Sequence, residues 1–159
     1  MRILIMSDTH GRPANIDVAI EEAAPIDMLL HLGDVEGDEH IIEELVSCPI
    51  HIVAGNNDFF TYLPKEKIIQ IGKYKIFMTH GHEYYVSMGT RLLKEEGKAR
   101  GVDIVMYGHT HRPELDYMDG LVTLNPGSLS YPRQEGRMPS YIVMDIDEND
   151  ELHFEICYI

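Results

Sequence analysis

The stretch Val102-Asp103-Ile104-Val105-Met106-Tyr107-Gly108-His109-Thr110-His111-Arg112 decides how the chain is read. A short apolar run is followed by a glycine and then by two histidines one residue apart. The apolar run suits a buried strand. Gly108 clears space beside it, and His109 and His111 offer two imidazoles to a metal. A single His-x-His pair is weak on its own, so a metal centre requires further ligands from upstream.

Upstream, the same arrangement recurs. Ile3-Leu4-Ile5-Met6 reads as a strand buried on both faces and runs directly into Asp8-Thr9-His10. A second strand over residues 26–32 ends at Gly33-Asp34, and a third over 50–53 ends at Gly55-Asn56. A strand over 74–79 ends at Thr79-His80-Gly81-His82. Each cluster has an ordinary reading in isolation: a helix cap, a turn, a core histidine. Five in a row, each at a strand end, are harder to dismiss. In open α/β sheets, sites form beyond the carboxyl ends of the strands, so these loops can converge on one rim. Asp and His supply oxygen and nitrogen donors suited to Mn, Fe or Zn. One carboxylate can bridge two cations about 3.5–4 Å apart.

Between the strands, Pro13 suits a first helical turn, with Ile16, Ala19, Ile20 and Ala23 on the inner face. A second amphipathic helix is predicted over residues 38–46 and a third over 87–99. Hairpins are predicted at Gly72-Lys73, at Asp119-Gly120 and around Glu148-Asn149-Asp150. Alternating β and α in the first third implies parallel strands. The hairpin-rich remainder implies a second, mixed sheet. Two sheets face to face with helices outside give a four-layer α-β-β-α sandwich, predicted as a single domain over residues 1–159.

The 159-residue length is enough to bury a core without staples. No apolar run approaches the roughly 20 residues that span a bilayer. The N-terminal apolar run is too short for a signal peptide, so a cytoplasmic location and no membrane partner are expected. Cys48 and Cys157 read as reduced core thiols. The formal net charge of −14 argues against coating a nucleic acid. It leaves a small phosphate-ester substrate open, because bound cations can invert the local potential. Nine histidines are many for this length. His31, His40, His51 and His153 lack matching motifs and read as structural.

The ordered set Asp8-x-His10, Gly33-Asp34, Gly55-Asn56, His80-Gly81-His82 and Gly108-His109-Thr110-His111 resembles the calcineurin-like metallophosphoesterases, and within them the small YfcE-type phosphodiesterase branch. Asn125-Pro126-Gly127-Ser128 is also typical of that branch. The resemblance implies two divalent metal ions, with manganese first and iron, zinc or nickel also compatible. Asp8, His10 and His111 would hold one, Asn56, His80 and His109 the other, and Asp34 would bridge them. It implies a phosphodiesterase in which a metal-bridging hydroxide attacks phosphorus. Small members of the branch are often homodimers.

One position departs from the wider superfamily, where Gly-Asn is commonly followed by a histidine that stabilises the transition state or protonates the leaving group. This chain has Asn57 there but keeps Asp58, which is expected to act in catalysis together with Asp34, Asn56 and His82. An amide cannot protonate a departing alkoxide, and general acid catalysis is worth about 10²–10⁴ in rate. A bias toward aryl leaving groups is therefore expected, with His82 the nearest substitute acid. Arg12, Arg112 and Arg133 are candidates for contacting substrate phosphate. Phe59, Phe60 and Tyr62 suggest an aromatic wall or, as the plainer reading, packing in the core or on another subunit. The alternatives are a phosphomonoesterase or phosphoprotein phosphatase, and a protein-binding scaffold such as the retromer subunit that shares the fold.

Overall fold

The structure, a computed structural model, describes residues 1–159, except for the side chain of residue 119. Two five-stranded sheets face one another. The first has the order β10 (Leu152–Tyr158), β9 (Ser140–Ile146), β1 (Arg2–Met6), β2 (Met28–His31), β3 (Ile50–Ile52), and the second β4 (Glu66–Ile71), β5 (Tyr74–Thr79), β6 (Ile104–Met106), β8 (Val122–Pro126), β7 (Pro113–Asp116). In the first sheet β1 (Arg2–Met6), β2 (Met28–His31) and β3 (Ile50–Ile52) run parallel. Their crossovers are α1 (Ile16–Ala23) and α2 (Glu39–Leu45). In the second sheet β5 (Tyr74–Thr79), β6 (Ile104–Met106) and β8 (Val122–Pro126) are parallel. The edge strands β4 (Glu66–Ile71) and β7 (Pro113–Asp116) are antiparallel to their neighbours.

The period-2 alternation of strand side chains sorts the core into three slabs. Ile3, Ile5, Leu30, Ile76, Met78, Ile104 and Met106 meet between the sheets. Leu4, Met6 and Leu29 point the other way, onto Ile16, Ala19 and Ile42 of α1 and α2. Phe77, Val105 and Tyr107 face Leu93 of α3 (Arg91–Arg100). This is the α-β-β-α sandwich that the sequence predicts. Burying one such aliphatic side chain contributes roughly 1.5–3 kcal/mol.

The predicted elements hold with some adjustments. Pro13 opens a 3-10 turn (Pro13–Asn15) that leads into α1. Residues Val86–Met88 form a separate 3-10 turn, so α3 begins later than the predicted 87. The Asp119-Gly120 connection is a 3-10 turn, Met118–Gly120. The terminal hairpin, β9 (Ser140–Ile146) with β10 (Leu152–Tyr158), does not extend the second sheet as the run of hairpins suggests. It returns to the first, where β9 pairs antiparallel with β1. The apolar run of β1 explains this, because its hydrogen-bonding edge away from β2 would otherwise be bare.

Cys48 and Cys157 are free, partly buried thiols beside the same core slab. Among the described residues, no helix is long and apolar enough to cross a membrane.

Candidate metal centre

The parallel strands deliver their C-terminal loops to one place. Asp8, His10, Asp34 and His111 each offer a ligand atom, all within 4.8 Å of one another. Asn56, His80 and His109 adjoin them. The Asn56 Oδ1 lies 3.1 Å from His80 Nε2 and 2.8 Å from His109 Nδ1. Asp34 stands between the two groups, with its Oδ2 3.8 Å from His10 Nε2 and 3.4 Å from His80 Nε2. All seven residues singled out as metal ligands are thus brought together, with Asp34 in the middle.

The backbone is bent to achieve this. Asp8, His10, Asp34, His109 and His111 all have φ between 50° and 67°, in the left-handed region that non-glycine residues seldom occupy. Such strain clusters where surrounding structure over-determines it. Two glycines make the crowding possible. A Cβ on Gly108 would lie 2.1 Å from Ser7 Oγ, and one on Gly55 would lie 2.1 Å from Asp34 Oδ1.

Five of the seven are oriented from behind. The His111 Nδ1 donates to the Tyr131 carbonyl at 2.7 Å, the His80 Nδ1 to the Leu32 carbonyl at 2.7 Å, and the His10 Nδ1 to Glu36 Oε1 at 2.7 Å. These acceptors carry no proton, so the Nε2 of each neutral ring presents its lone pair to the centre. The Asp8 Oδ2 accepts from Ser7 Oγ at 2.6 Å and from the His109 amide at 3.1 Å. The Asp34 oxygens accept from the backbone amide and side-chain Nδ2 of Asn57 at 2.8 and 2.7 Å.

What remains is a set of acceptors without donors. Asp8 Oδ1 is fully buried and has no hydrogen-bond partner, yet it lies 3.0 Å from His111 Nε2. Buried polar atoms of native proteins are rarely left this way. A divalent cation satisfies such a cluster, and the donor set of carboxylates, imidazoles and an amide oxygen fits a hard or borderline metal. The charges agree. Burial opposes ionisation of Asp34 and of Asp8, but His80 for the first, and His111 and His80 for the second, hold both carboxyls below the usual range. Burial also opposes a charged His80, yet Asp34 and Asp8 raise its imidazole to about 9. A metal would take over the role of that proton.

Several neighbours hold the ligand loops in place. Asp58, an expected catalytic residue, accepts from the backbone amides of Asp34, Glu36 and Gly55 at 2.7–2.8 Å, so its carboxylate ties two ligand loops together. Ser128 Oγ donates to the Asp8 carbonyl, and Asn125 Nδ2 donates to the Gly108 carbonyl, each at 2.7 Å. The Asn125-Pro126-Gly127-Ser128 turn therefore braces the rim through side chains. His31 is buried and neutral, accepting from the Gly33 amide at 3.2 Å and donating to Thr9 Oγ1 at 3.1 Å. Burial depresses its pKa to about 4. The Glu36 carboxylate behind His10 had no motif to announce it.

The His82 ring lies beside the centre, 5.5 Å from the His80 ring and 6.1 Å from that of His109. Its Nδ1 is buried without a partner. Burial, and then the charge on His80, lower its pKa. Arg112 and Arg133 line an open groove of about 740 Å³ together with His10, His111 and Asn57. Arg137 joins them there, whereas Arg12 stacks on the Tyr131 ring at 4.4 Å. Phe59, Phe60 and Tyr62 are exposed, which removes the reading that they pack in the core, and they line a hollow of about 520 Å³ on the other side of Asn57 and Glu36.

Comparison with known proteins agrees with this geometry. The family described as the calcineurin-like phosphoesterase superfamily domain matches residues 1–149. The chain is 35% identical to the probable metallophosphoesterase MJ0623 of Methanocaldococcus jannaschii, over 98% of this chain and 80% of that one. It is 33% identical to phosphodiesterase MJ0936 of the same organism, over 80% of this chain and 83% of that one. Among solved structures, a predicted phosphoesterase of Streptococcus pneumoniae TIGR4 superposes with a TM-score of 0.80 at 27% identity, covering 99% of this chain and 97% of that one. Vps29 of Entamoeba histolytica, solved in complex with zinc, superposes with a TM-score of 0.78 at 24% identity over 99% of both chains, and shows the fold alone. With the sandwich, the convergent loops and these matches in agreement, the chain belongs to the calcineurin-like phosphoesterase superfamily.

Proposed function

We propose that the protein is a divalent-metal-dependent phosphodiesterase whose centre is built by Asp8, His10, Asp34, Asn56, His80, His109 and His111. The observation that carries this reading is the unpartnered, buried Asp8 Oδ1 set among imidazole nitrogens whose opposite nitrogens are already committed. Divalent metal bound there supplies charge neutralisation for a phosphoryl group and makes water nucleophilic at neutral pH. The chain's own residues do the positioning. Asp34 spans the two ligand groups. Glu36, Tyr131 and Leu32 fix the tautomers of His10, His111 and His80, and Asp58 holds the loops that carry Asp34 and Asn56.

A diester is favoured over a monoester by the open groove that flanks the centre and by the named activity of the relative MJ0936. Asn57 spends its amide on Asp34 and has no proton to give a leaving group. His82 is the nearest imidazole that is not itself a ligand, but its lowered pKa leaves it neutral at pH 7 and a poor acid. Aryl esters, whose leaving groups depart unaided, are therefore the better substrates. Manganese is the first metal to try.

The test is hydrolysis of bis(p-nitrophenyl) phosphate and of p-nitrophenyl phosphate by metal-depleted protein, before and after adding Mn²⁺. Activity that appears with the metal and favours the diester is expected. Turnover undiminished by thorough chelation overturns the mechanism. A protein-binding scaffold is the second reading, favoured by the exposed Phe59, Phe60 and Tyr62 beside the centre. Turnover separates the two: a scaffold hydrolyses neither ester even when loaded with metal, whereas metal binding alone does not discriminate, since a Vps29 of the same fold has been solved with zinc.

A further inference from the structure

Six of the seven arginines of this acidic chain fall into two groups. Arg2 pairs with Asp145, Arg91 with Glu95, and Arg100 with Glu66 and Glu96. Arg112, Arg133 and Arg137 have no carboxylate partner among the described residues, although the chain carries 27 acidic residues. These three share one groove, and that groove is also lined by His10 and His111 of the metal centre. Arg12, the remaining one, lies over Tyr131, a further residue of the same wall.

The groove is fastened to the centre. The Tyr131 carbonyl accepts from His111 Nδ1 at 2.7 Å, and the Arg133 amide donates to the His111 carbonyl at 2.9 Å. The segment carrying Arg133 and Arg137 is thus latched to a metal-ligating residue at two points. Ser130 adds a third tie, its Oγ donating to the Thr9 carbonyl at 2.6 Å. Guanidinium groups left unpaired in a protein of net charge −14 are most simply explained by an anion that arrives from outside. Their planar forks match phosphate oxygens. The phosphoryl group under attack is neutralised by the metal centre, so three further cations beside it exceed what that group requires.

We infer that this groove binds a second phosphate of the substrate, one that is not hydrolysed, so that the preferred substrates are phosphodiesters carrying an additional phosphate group. The inference rests on the phosphodiesterase reading and narrows it. Charge-assisted contacts of this kind change affinity by roughly ten- to a hundredfold each. The guanidinium groups act by binding and orientation alone.

The probe is the 5′-(p-nitrophenyl phosphate) diester of thymidine, compared with the same ester bearing a 3′-phosphate. Both release the same leaving group, so their kcat/KM ratio isolates the remote phosphate. With Mn²⁺-loaded protein the phosphorylated ester is expected to be favoured at least tenfold. In Arg133→Ala/Arg137→Ala the ratio is expected to fall to within about threefold of unity, and in Arg133→Lys/Arg137→Lys to an intermediate value. Both residues are exposed, so the fold is retained, as circular dichroism will verify. A ratio near unity in the native protein, or one preserved in the alanine variant, overturns the inference and leaves the phosphodiesterase reading standing. If neither ester is hydrolysed, the diesterase reading falls. The groove is then judged by calorimetric binding of thymidine 3′,5′-bisphosphate. Binding at least tenfold weaker in the alanine variant upholds the groove as a phosphate site, and equal binding removes it.

Discussion

His10 Nε2 and His111 Nε2 face each other at 3.2 Å, and in their neutral forms neither has a proton to offer the other. Glu36 and the Tyr131 carbonyl have already claimed the Nδ1 protons. Two lone pairs held this close repel unless a cation lies between or beside them. His111→Ala should therefore remove one of two bound ions per chain, as measured by elemental analysis after dialysis against Mn²⁺. An unchanged metal content would show that the pair is not a ligand pair.

Glu36 is the less obvious half of that relationship. Its carboxylate orients the His10 ring, and losing such a partner typically weakens metal binding or activity about 10–100-fold. Glu36→Ala should show this loss in a Mn²⁺ titration, with the far-ultraviolet spectrum unaltered. Native-like affinity would mean that packing alone orients His10.

Asn57 makes the leaving group decisive. Restoring an imidazole by Asn57→His is expected to raise turnover of alkyl phosphodiesters by about 10²-fold or more, while aryl esters change little. The ratio of the two rates is the readout. Equal effects on both would show that proton donation does not limit this centre.

Asp58 is a different kind of residue from the one its motif suggests. Its oxygens accept three backbone amides from two loops. Asp58→Asn should lower unfolding free energy by about 2–3 kcal/mol, because an amide nitrogen would then face donors. Denaturant unfolding in the presence of a chelator measures this directly. Loss of activity with no loss of stability would return Asp58 to the chemistry.

His31 predicts an acid limit. Its folded pKa is depressed to about 4 from the ordinary 6.5 by burial. The unfolded chain takes up the proton first. The contribution to stability is therefore complete above pH 6.5 and is lost as pH falls toward 4, amounting to roughly 3 kcal/mol over that window. His31→Gln should flatten the stability profile between those values. An unchanged slope would assign the acid sensitivity to other groups.

The strand pattern and the ligand loops could be read without coordinates because both are local. Ile3-Leu4-Ile5-Met6 reads as a strand covered on both faces, and Asp8 and His10 follow it within four residues. The partner of a strand is not local. The β1–β9 pairing joins residues about 140 positions apart, as in Arg2 with Asp145, and alternation says nothing about which sheet a hairpin will join. The left-handed backbone at five ligand residues was equally invisible, since Asp and His, though enriched there among non-glycine residues, adopt positive φ too seldom for their presence to announce it. The amide contacts of Asp58 were not legible either, because a carboxylate beside a metal loop has the same composition whether it faces the metal or the amides. Arg137 has no motif, and only the turn after Tyr131 brings it to the groove.

The Ser128 hydroxyl on the Asp8 carbonyl, and β9 along the open edge of β1, mean that the first ligand loop is completed by the last third of the chain. During synthesis, Asp8, His10, Asp34 and Asn56 emerge long before His109 and His111. Pairings of such separation form late because the chain must first close a long loop. A nascent chain thus holds several loose metal-binding groups but no centre. The centre proposed above is therefore complete only once the last third of the chain has folded back onto the first ligand loop.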